Sequence, residues 1–484
     1  MLENALRSDP ESSMRNGDVP LNEAELLDGV IRVWQDLLGV TVGADTDFFA
    51  AGGRSLFALQ MLAEVRTRYG LQIPLEVFLS SPTPRIFTAH LAALRADHLR
   101  QRNGQSSIDA IANAIDQAVG NARHLGIQLY VSVAGQVVCD VAVGQRDTGD
   151  EIAADDLLPW YSGGKPMLAA AVLKLRMAGR LDLDAPLSNY LPEFAAGREF
   201  SCRHLLTHTT GRLIVDGHSP LDPTLVGYEQ AIDLALTARL SNNDRPGMQP
   251  SYSVSGLAWL LLAEVVRRID GRRFDHYVSS TVFEPLGIEA YYGFSDEQLD
   301  RLGPRVTTYH HQPRVAQYQD TSHSHSVPVD RTRYTRASFH RGLDPSQGLW
   351  MSARGMARFY EHACARSTDA NWFGPSGPLD GPAAQEMTRP QRPSYFQEAP
   401  LVDFGLGVTL ESRRHGPNFA YFGSYTGNRS FGHQGHGSSP MAFVDPDHEL
   451  VVSFNGNGLP GRVVGKLIWH RISDAVYTDL GFAT

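Results

Sequence analysis

Four apolar runs at opposite ends of one long stretch constrain this chain more than any other feature. Ile127–Val133 and Gln136–Val143 have strand character and are separated by Ala134-Gly135. Met441–Val444 and Glu449–Phe454 flank Asp445-Pro446-Asp447-His448. Each pair reads as a hairpin. The sequence between them is rich in helical patterning. Helices are also predicted at about 108–124, before the first hairpin, and over Arg462–Tyr477, after the last. This order predicts an α/β region with one antiparallel sheet closed by both of its ends, flanked by helices and carrying a helical subdomain.

The residues before it follow another pattern. Leu26, Leu27, Ile31, Val33, Trp34, Leu37 and Leu38 recur at helical spacing, which predicts an amphipathic helix over about 21–39. A loop through Gly52-Gly53 leads to a second helix starting near Ser55, with Leu56, Leu59, Met61, Leu62 and Val65 on its apolar face. A short helix near Pro74–Leu79 and another from Thr83 to about Leu99 complete a small all-α four-helix bundle. A chain of 484 residues is too long for one ordinary domain. The expected organisation is a flexible leader at 1–20, a helical domain at 21–99, a polar linker at 100–108 and a larger domain at 109–484.

Composition removes several function classes. An apolar share of 42% and a charged share of 20% exclude a mostly disordered chain. A net charge of −10 argues against a nucleic-acid binder with a broad basic face. Cys139, Cys202 and Cys364 are too few for a disulfide scaffold. The strongest apolar run, Leu257–Val266, contains Glu264 and is half the length that a bilayer requires. The first residues lack the apolar core of a secretory signal. A cytoplasmic protein without membrane or nucleic-acid partners is expected. With only three lysines (Lys165, Lys174 and Lys466), each one merits inspection.

Two serines stand in chemically suggestive settings. The first lies in Asp47-Phe48-Phe49-Ala50-Ala51-Gly52-Gly53-Arg54-Ser55-Leu56. Two glycines let another protein approach the backbone, and a helix start suits a phosphodiester anion. A plain N-cap is the alternative role for Ser55. The segment resembles the phosphopantetheine attachment motif of the peptidyl carriers of nonribosomal peptide synthetases. That resemblance implies that a phosphopantetheinyl transferase attaches 4'-phosphopantetheine covalently to Ser55, and that upstream adenylation, synthetase or other acyl-loading enzymes are partners. Residues 18–80 hold nine acidic and four basic side chains, a mildly acidic face that such partners could read.

The second serine opens Ser162-Gly163-Gly164-Lys165. On a helix, positions i and i+3 share a face, so Oγ of Ser162 and Nζ of Lys165 can meet. An amine held in an apolar pocket can take the proton of a serine hydroxyl. Over about 108–480 the chain resembles the class C β-lactamase-like family of serine esterases, D-aminopeptidases and acyltransferases. The matching stretches include Ala178–Asp184, Tyr190-Leu191-Pro192, His204–Gly211, Pro246-Gly247, Tyr252-Ser253-Val254, Gly348–Ser352 and Gly432–His436. By that resemblance Ser162 is the nucleophile, Lys165 and Tyr252 are its base, and His433-Gln434-Gly435 is the third motif. The backbone N–H groups of Ser162 and His436 form the oxyanion hole. Val254 replaces the usual Asn and His433 the usual Lys, which counts against β-lactam turnover and leaves ester or thioester chemistry open.

Other histidines read as scaffold. His204 and His208 stand at i and i+4, a spacing zinc sites use, but fall inside a family motif. His310, His311, His323 and His325 belong to a long irregular stretch over the pocket, and Trp160 and Tyr161 to its wall. No metal is expected. The expected function is a carrier-tethered acyl-serine enzyme that moves an acyl or peptidyl thioester from phosphopantetheine to Ser162, then to a small-molecule acceptor or water, in nonribosomal peptide or polyketide-type biosynthesis. The alternatives are a plain serine esterase or D-peptidase with an independent carrier domain, and a non-catalytic docking domain.

Overall fold

The computed structural model describes residues 23–53, 57–92 except 59, 63, 66–72, 74–76 and 79–80, and 109–483 except ten short internal stretches and 308–336. The ten are 121–123, 218–220, 242–243, 249–250, 252–255, 365–378, 393–401, 436–439, 459 and 461. The leader, the linker, His310, His311, His323 and His325, Ser55, Tyr252 and His436 therefore lie outside the described residues. The chain divides into two compact units, one formed by Met1–Ser106 with Gly416–Phe419 and one formed by Ser107–His415 with Ala420–Thr484.

Among the described residues the regular elements of the first unit are all helical. Glu23–Leu38 forms the first helix, and further helical residues lie within 57–65, at 77–78 and over 84–92. Its core is a chain of aromatic contacts. Phe48 meets Trp34 with ring centroids 5.0 Å apart and Phe78 at 4.9 Å, and Phe78 meets Phe87 at 5.1 Å. These edge-on pairs each add about 0.5–1.5 kcal/mol beyond area burial. Phe48 thus anchors the loop that precedes residue 54.

The second unit is built on a seven-stranded antiparallel sheet. In chain order the strands among the described residues are β1 (Gly126–Val133), β2 (Gln136–Gly144), β3 (Leu158–Pro159), β4 (Leu213–Ile214), β5 (Arg239–Leu240), β6 (Ala290–Tyr292), β7 (Leu349–Met351), β8 (Asp403–Phe404), β9 (Thr409–Leu410), β10 (Phe431–Gln434), β11 (Met441–Asp445) and β12 (Leu450–Gly456). The large sheet runs β2-β1-β12-β11-β10-β9-β8. Both expected hairpins form, and β1 pairs with β12 from Ile127↔Gly456 to Val133↔Leu450, so the two ends of the unit close the sheet. Ala134 (φ 48°) and Gly135 (φ 75°) are both left-handed, as a tight two-residue hairpin turn requires. Asp109–Gly120 and Arg462–Asp479 are the terminal helices, and residues 121–123 of the first expected span lie outside the described residues.

A helical layer positions the site. Lys165–Met177 is apolar nearly all round and is buried from Lys165 to Leu173, as expected of a helix enclosed by core. Leu257–Asp270 packs against it, and the apolar run noted in the sequence is wholly buried there. Its acidic residue, Glu264, is buried with it and bonded by Arg267 and Arg268. Among the described residues no helix is long and apolar enough to cross a membrane.

Candidate active site

Ser162 lies in a 3₁₀ turn, Tyr161–Gly164, that feeds directly into the helix Lys165–Met177. The helical i, i+3 spacing is supplied by this tighter turn running into the first residue of the α-helix, and it brings the two side chains together. Lys165 Nζ stands 2.7 Å from Ser162 Oγ. The turn begins at Tyr161, whose φ of 46° is left-handed although it carries a bulky side chain. Tyr161 is fully buried and stacks on Phe339 with centroids 5.8 Å apart, so packing holds a backbone state that its type avoids. Gly164 has no room for a side chain, because a Cβ would approach Leu349 to 2.7 Å.

Lys165 is 2% exposed. Burial pushes its pKa down from 10.5 to about 7, with Asp344 opposing the shift. Nζ also donates to the Ser346 carbonyl at 2.9 Å, and the Trp259 ring lies 5.6 Å from it. Close to neutral pH the amine is therefore divided between its charged and neutral forms.

The wall opposite is β10. Gly435 follows it, and a Cβ there would meet Trp160 O at 2.5 Å and Pro440 Cγ at 2.2 Å. The backbone can approach the serine turn this closely only without a side chain. His433, on β10, is buried, and desolvation together with the positive charge of Lys165 lowers its pKa to about 3. Its Nδ1 lies 2.7 Å from the Gln434 carbonyl, which requires the ring proton on that nitrogen. Nε2 is then a bare acceptor, and it has no hydrogen-bond partner among the described residues.

Tyr252 itself is outside the described residues, but both flanks of its stretch are tied to this site. Ser251 N donates to the carbonyl of His208, a buried left-handed residue whose pKa burial lowers further than the charges of Arg392 and Lys165 do. On the other side Gly256, at φ 70°, packs so closely that a Cβ would reach Ser346 Oγ at 2.7 Å. His204 bonds within its own N-terminal cap, and no metal-binding cluster occurs among the described residues.

The family model described as Beta-lactamase matches residues 111–477. The chain belongs to the beta-lactamase family. A second model, described as Phosphopantetheine attachment site, matches residues 28–91, so the beta-lactamase-family unit follows a carrier domain. Among curated proteins, esterase EstB of Burkholderia gladioli is 31% identical over 44% of this chain and 58% of its own length. Phosphinothricin tripeptide synthetase PhsC of Streptomyces viridochromogenes is 32% identical over 19% of this chain and 9% of its own. The chain thus spans well under two thirds of the length of these relatives. A solved penicillin-binding protein homologue from Caulobacter crescentus superposes with a TM-score of 0.62 at 23% identity, covering 78% of this chain and 98% of its own, and shares the beta-lactamase-like fold.

A carrier domain of this kind bears covalent 4'-phosphopantetheine, and the local backbone suits the group. Gly52 (φ 95°) has open space around it, Phe49 and Ala50 beside it are exposed, and a Cβ on Gly53 would collide with the buried Phe48 ring. The loop is thus pinned from beneath and open above, and it leads to a serine hydroxyl that can form the phosphodiester. In the beta-lactamase-family unit, the residues missed at the sequence level are Asp344 and Ser346. Their one local signal is Asp-Pro-Ser-x-Gly, a turn composition just ahead of the Gly348–Ser352 match.

Proposed function

We propose that this chain is an acyl-handling serine enzyme for nonribosomal peptide or polyketide-type assembly. Ser162 accepts an acyl or peptidyl group delivered as a thioester and passes it to a small-molecule acceptor or to water. The observation that carries this reading is the buried Lys165 amine, 2.7 Å from Ser162 Oγ and brought to about 7 by burial. A neutral amine there can take the hydroxyl proton as Oγ bonds to the acyl carbon, and can return it to the leaving group. Tyr252 is assigned to share that proton transfer, supported by the anchored flanks of its stretch.

The oxyanion donors are assigned to the backbone N–H groups of Ser162 and His436, supported by the close approach of the chain at Gly435 to the serine turn. His433 contributes a neutral ring with Nε2 as acceptor, which suits orientation of an incoming O–H or N–H nucleophile and does not suit capture of a substrate carboxylate. Ser55 is assigned as the attachment point for phosphopantetheine. When bound, that group supplies a flexible arm and a thiol on which an acyl unit is held. A carrier and an acyl-serine site in one chain favour a shared acyl group, because tethering gives an effective concentration of about millimolar.

Intact-protein mass spectrometry of acyl-loaded chains tests this. Wild type should lose its acyl mass, whereas Ser162→Ala should retain it. Equal rates of loss in the two would refute the shared-acyl reading.

A further inference from the structure

We infer that Asp344 is a positioning residue for Lys165: through the 344–348 turn it holds the Ser346 carbonyl against Nζ, and it sets a negative charge behind the amine. This rests on the reading of Lys165 as the base for Ser162. The turn is closed by three hydrogen bonds. Asp344 Oδ1 accepts from Ser346 N at 2.8 Å and from Ser346 Oγ at 2.6 Å, and Gly348 N donates to the Asp344 carbonyl at 2.8 Å. Ser346 O, oriented by that turn, accepts from Lys165 Nζ at 2.9 Å. The connection joins residues 181 positions apart in sequence.

Turn closure uses only one of the two carboxylate oxygens. Oδ2 is buried and has no hydrogen-bond partner among the described residues, in a side chain that is 1% exposed. An asparagine would close the same turn without burying a bare anionic oxygen, which is costly unless the charge has a use. The titratable groups facing Lys165 among the described residues are Asp344, His208 and His433. Burial keeps both histidines neutral. Among the described residues Asp344 is therefore the group that opposes the desolvation of the amine.

During acylation the Ser162 O–H bond breaks as Oγ bonds to the acyl carbon, and the proton moves to Nζ. The ammonium so formed is stabilised by the Asp344 carboxylate and the Ser346 carbonyl until it protonates the leaving thiolate or alkoxide. Asp344 makes Lys165 a stronger base than burial alone would allow. Removing its charge should let Lys165 lose its proton at lower pH and hold the transferred proton less well.

The test is the rate at which a fluorophosphonate labels Ser162 in the full chain, read by intact mass between pH 5 and pH 9. Circular dichroism confirms the fold of each variant. In wild type the acidic limb of the profile should centre near about 7. In Asp344→Asn, which keeps the Oδ1 acceptor, the limb should move down by roughly one pH unit and the plateau rate should fall by roughly 10-fold. Asp344→Ala should show the same shift with a larger loss of rate, because the turn is also released. If Asp344→Ala does not fold, Asp344→Asn decides alone. A limb that stays in place in Asp344→Asn, whether or not the rate falls, overturns the inference while the Ser162 reading stands. A wild type that takes no label, or a Ser162→Ala chain that labels equally, overturns that reading and the inference with it.

Discussion

Replacing Lys165 by methionine should lower activity and also change how stability depends on pH. Methionine is similarly long and unbranched, and carries no charge. Lys165 titrates at about 7 in the folded chain, against 10.5 ordinarily, chiefly because it is buried. A lysine whose folded pKa lies below its unfolded value binds fewer protons folded than unfolded between the two. Stability therefore rises with pH from about 7 to 10.5, and this contribution is least favourable below that window. At about 1.4 kcal/mol per pKa unit, the lysine costs the fold about 4 kcal/mol at pH 7 and about 2 kcal/mol at pH 9.

Lys165→Met removes that cost but also the bonds to Ser162 Oγ and Ser346 O, leaving a buried carbonyl unpaired at about 1–3 kcal/mol. The sign of the change at one pH is thus a close contest. The change between two pH values is not, because the lost bonds weigh equally at both. Wild type should gain about 2 kcal/mol on Lys165→Met between pH 7 and pH 9. Urea unfolding of both full chains at each pH measures this, with the carrier unit fitted as a separate transition. Acylation by the variant should fall by about 10²–10⁴-fold. A stability difference that is the same at pH 7 and pH 9 would refute a depressed Lys165, and with it the amine's fitness as a base at neutral pH.

Two further outcomes are expected. A broad phosphopantetheinyl transferase with coenzyme A should add roughly 340 Da to wild type and nothing to Ser55→Ala, as intact mass would show. Nitrocefin should be turned over slowly or not at all while activated esters or N-acetylcysteamine thioesters are cleaved, because Val254 and the neutral His433 replace the amide and cation of the lactamase pattern; efficient nitrocefin hydrolysis in a spectrophotometric assay would contradict this.

The parts of the fold legible in the sequence are those with a local period or a demanding turn. The paired hairpins were readable because β1, β2, β11 and β12 each present a run of five or more residues, two of them joined by a turn needing positive φ at Ala134 and Gly135. Strands β8 and β9 have two residues each, too few to show alternation; they pair with each other, and β9 joins the sheet through β10. The 3₁₀ form of the serine turn has no sequence signal for a related reason. Tyrosine does not announce a left-handed backbone, and Tyr161 adopts one only because Phe339 and the surrounding core hold its ring.

The chemistry of the site divides along the same line. Ser-x-x-Lys places a hydroxyl and an amine within reach, but an exposed lysine at that spacing would stay protonated near neutral pH and could not act as a base. What alters Lys165 is its enclosure beneath Ser346, Trp259 and the helix Leu257–Asp270, and the anion that limits the shift arrives from a turn 179 positions beyond it. Neither effect has a sequence period. Burial alone would carry the amine further down, leaving it neutral but too weak to hold the proton of Ser162; full exposure would leave it strong but already occupied. A base working near neutral pH needs burial and a nearby anion in opposition, so in the role proposed for Lys165 the residues that tune the amine count as much as the motif that contains it.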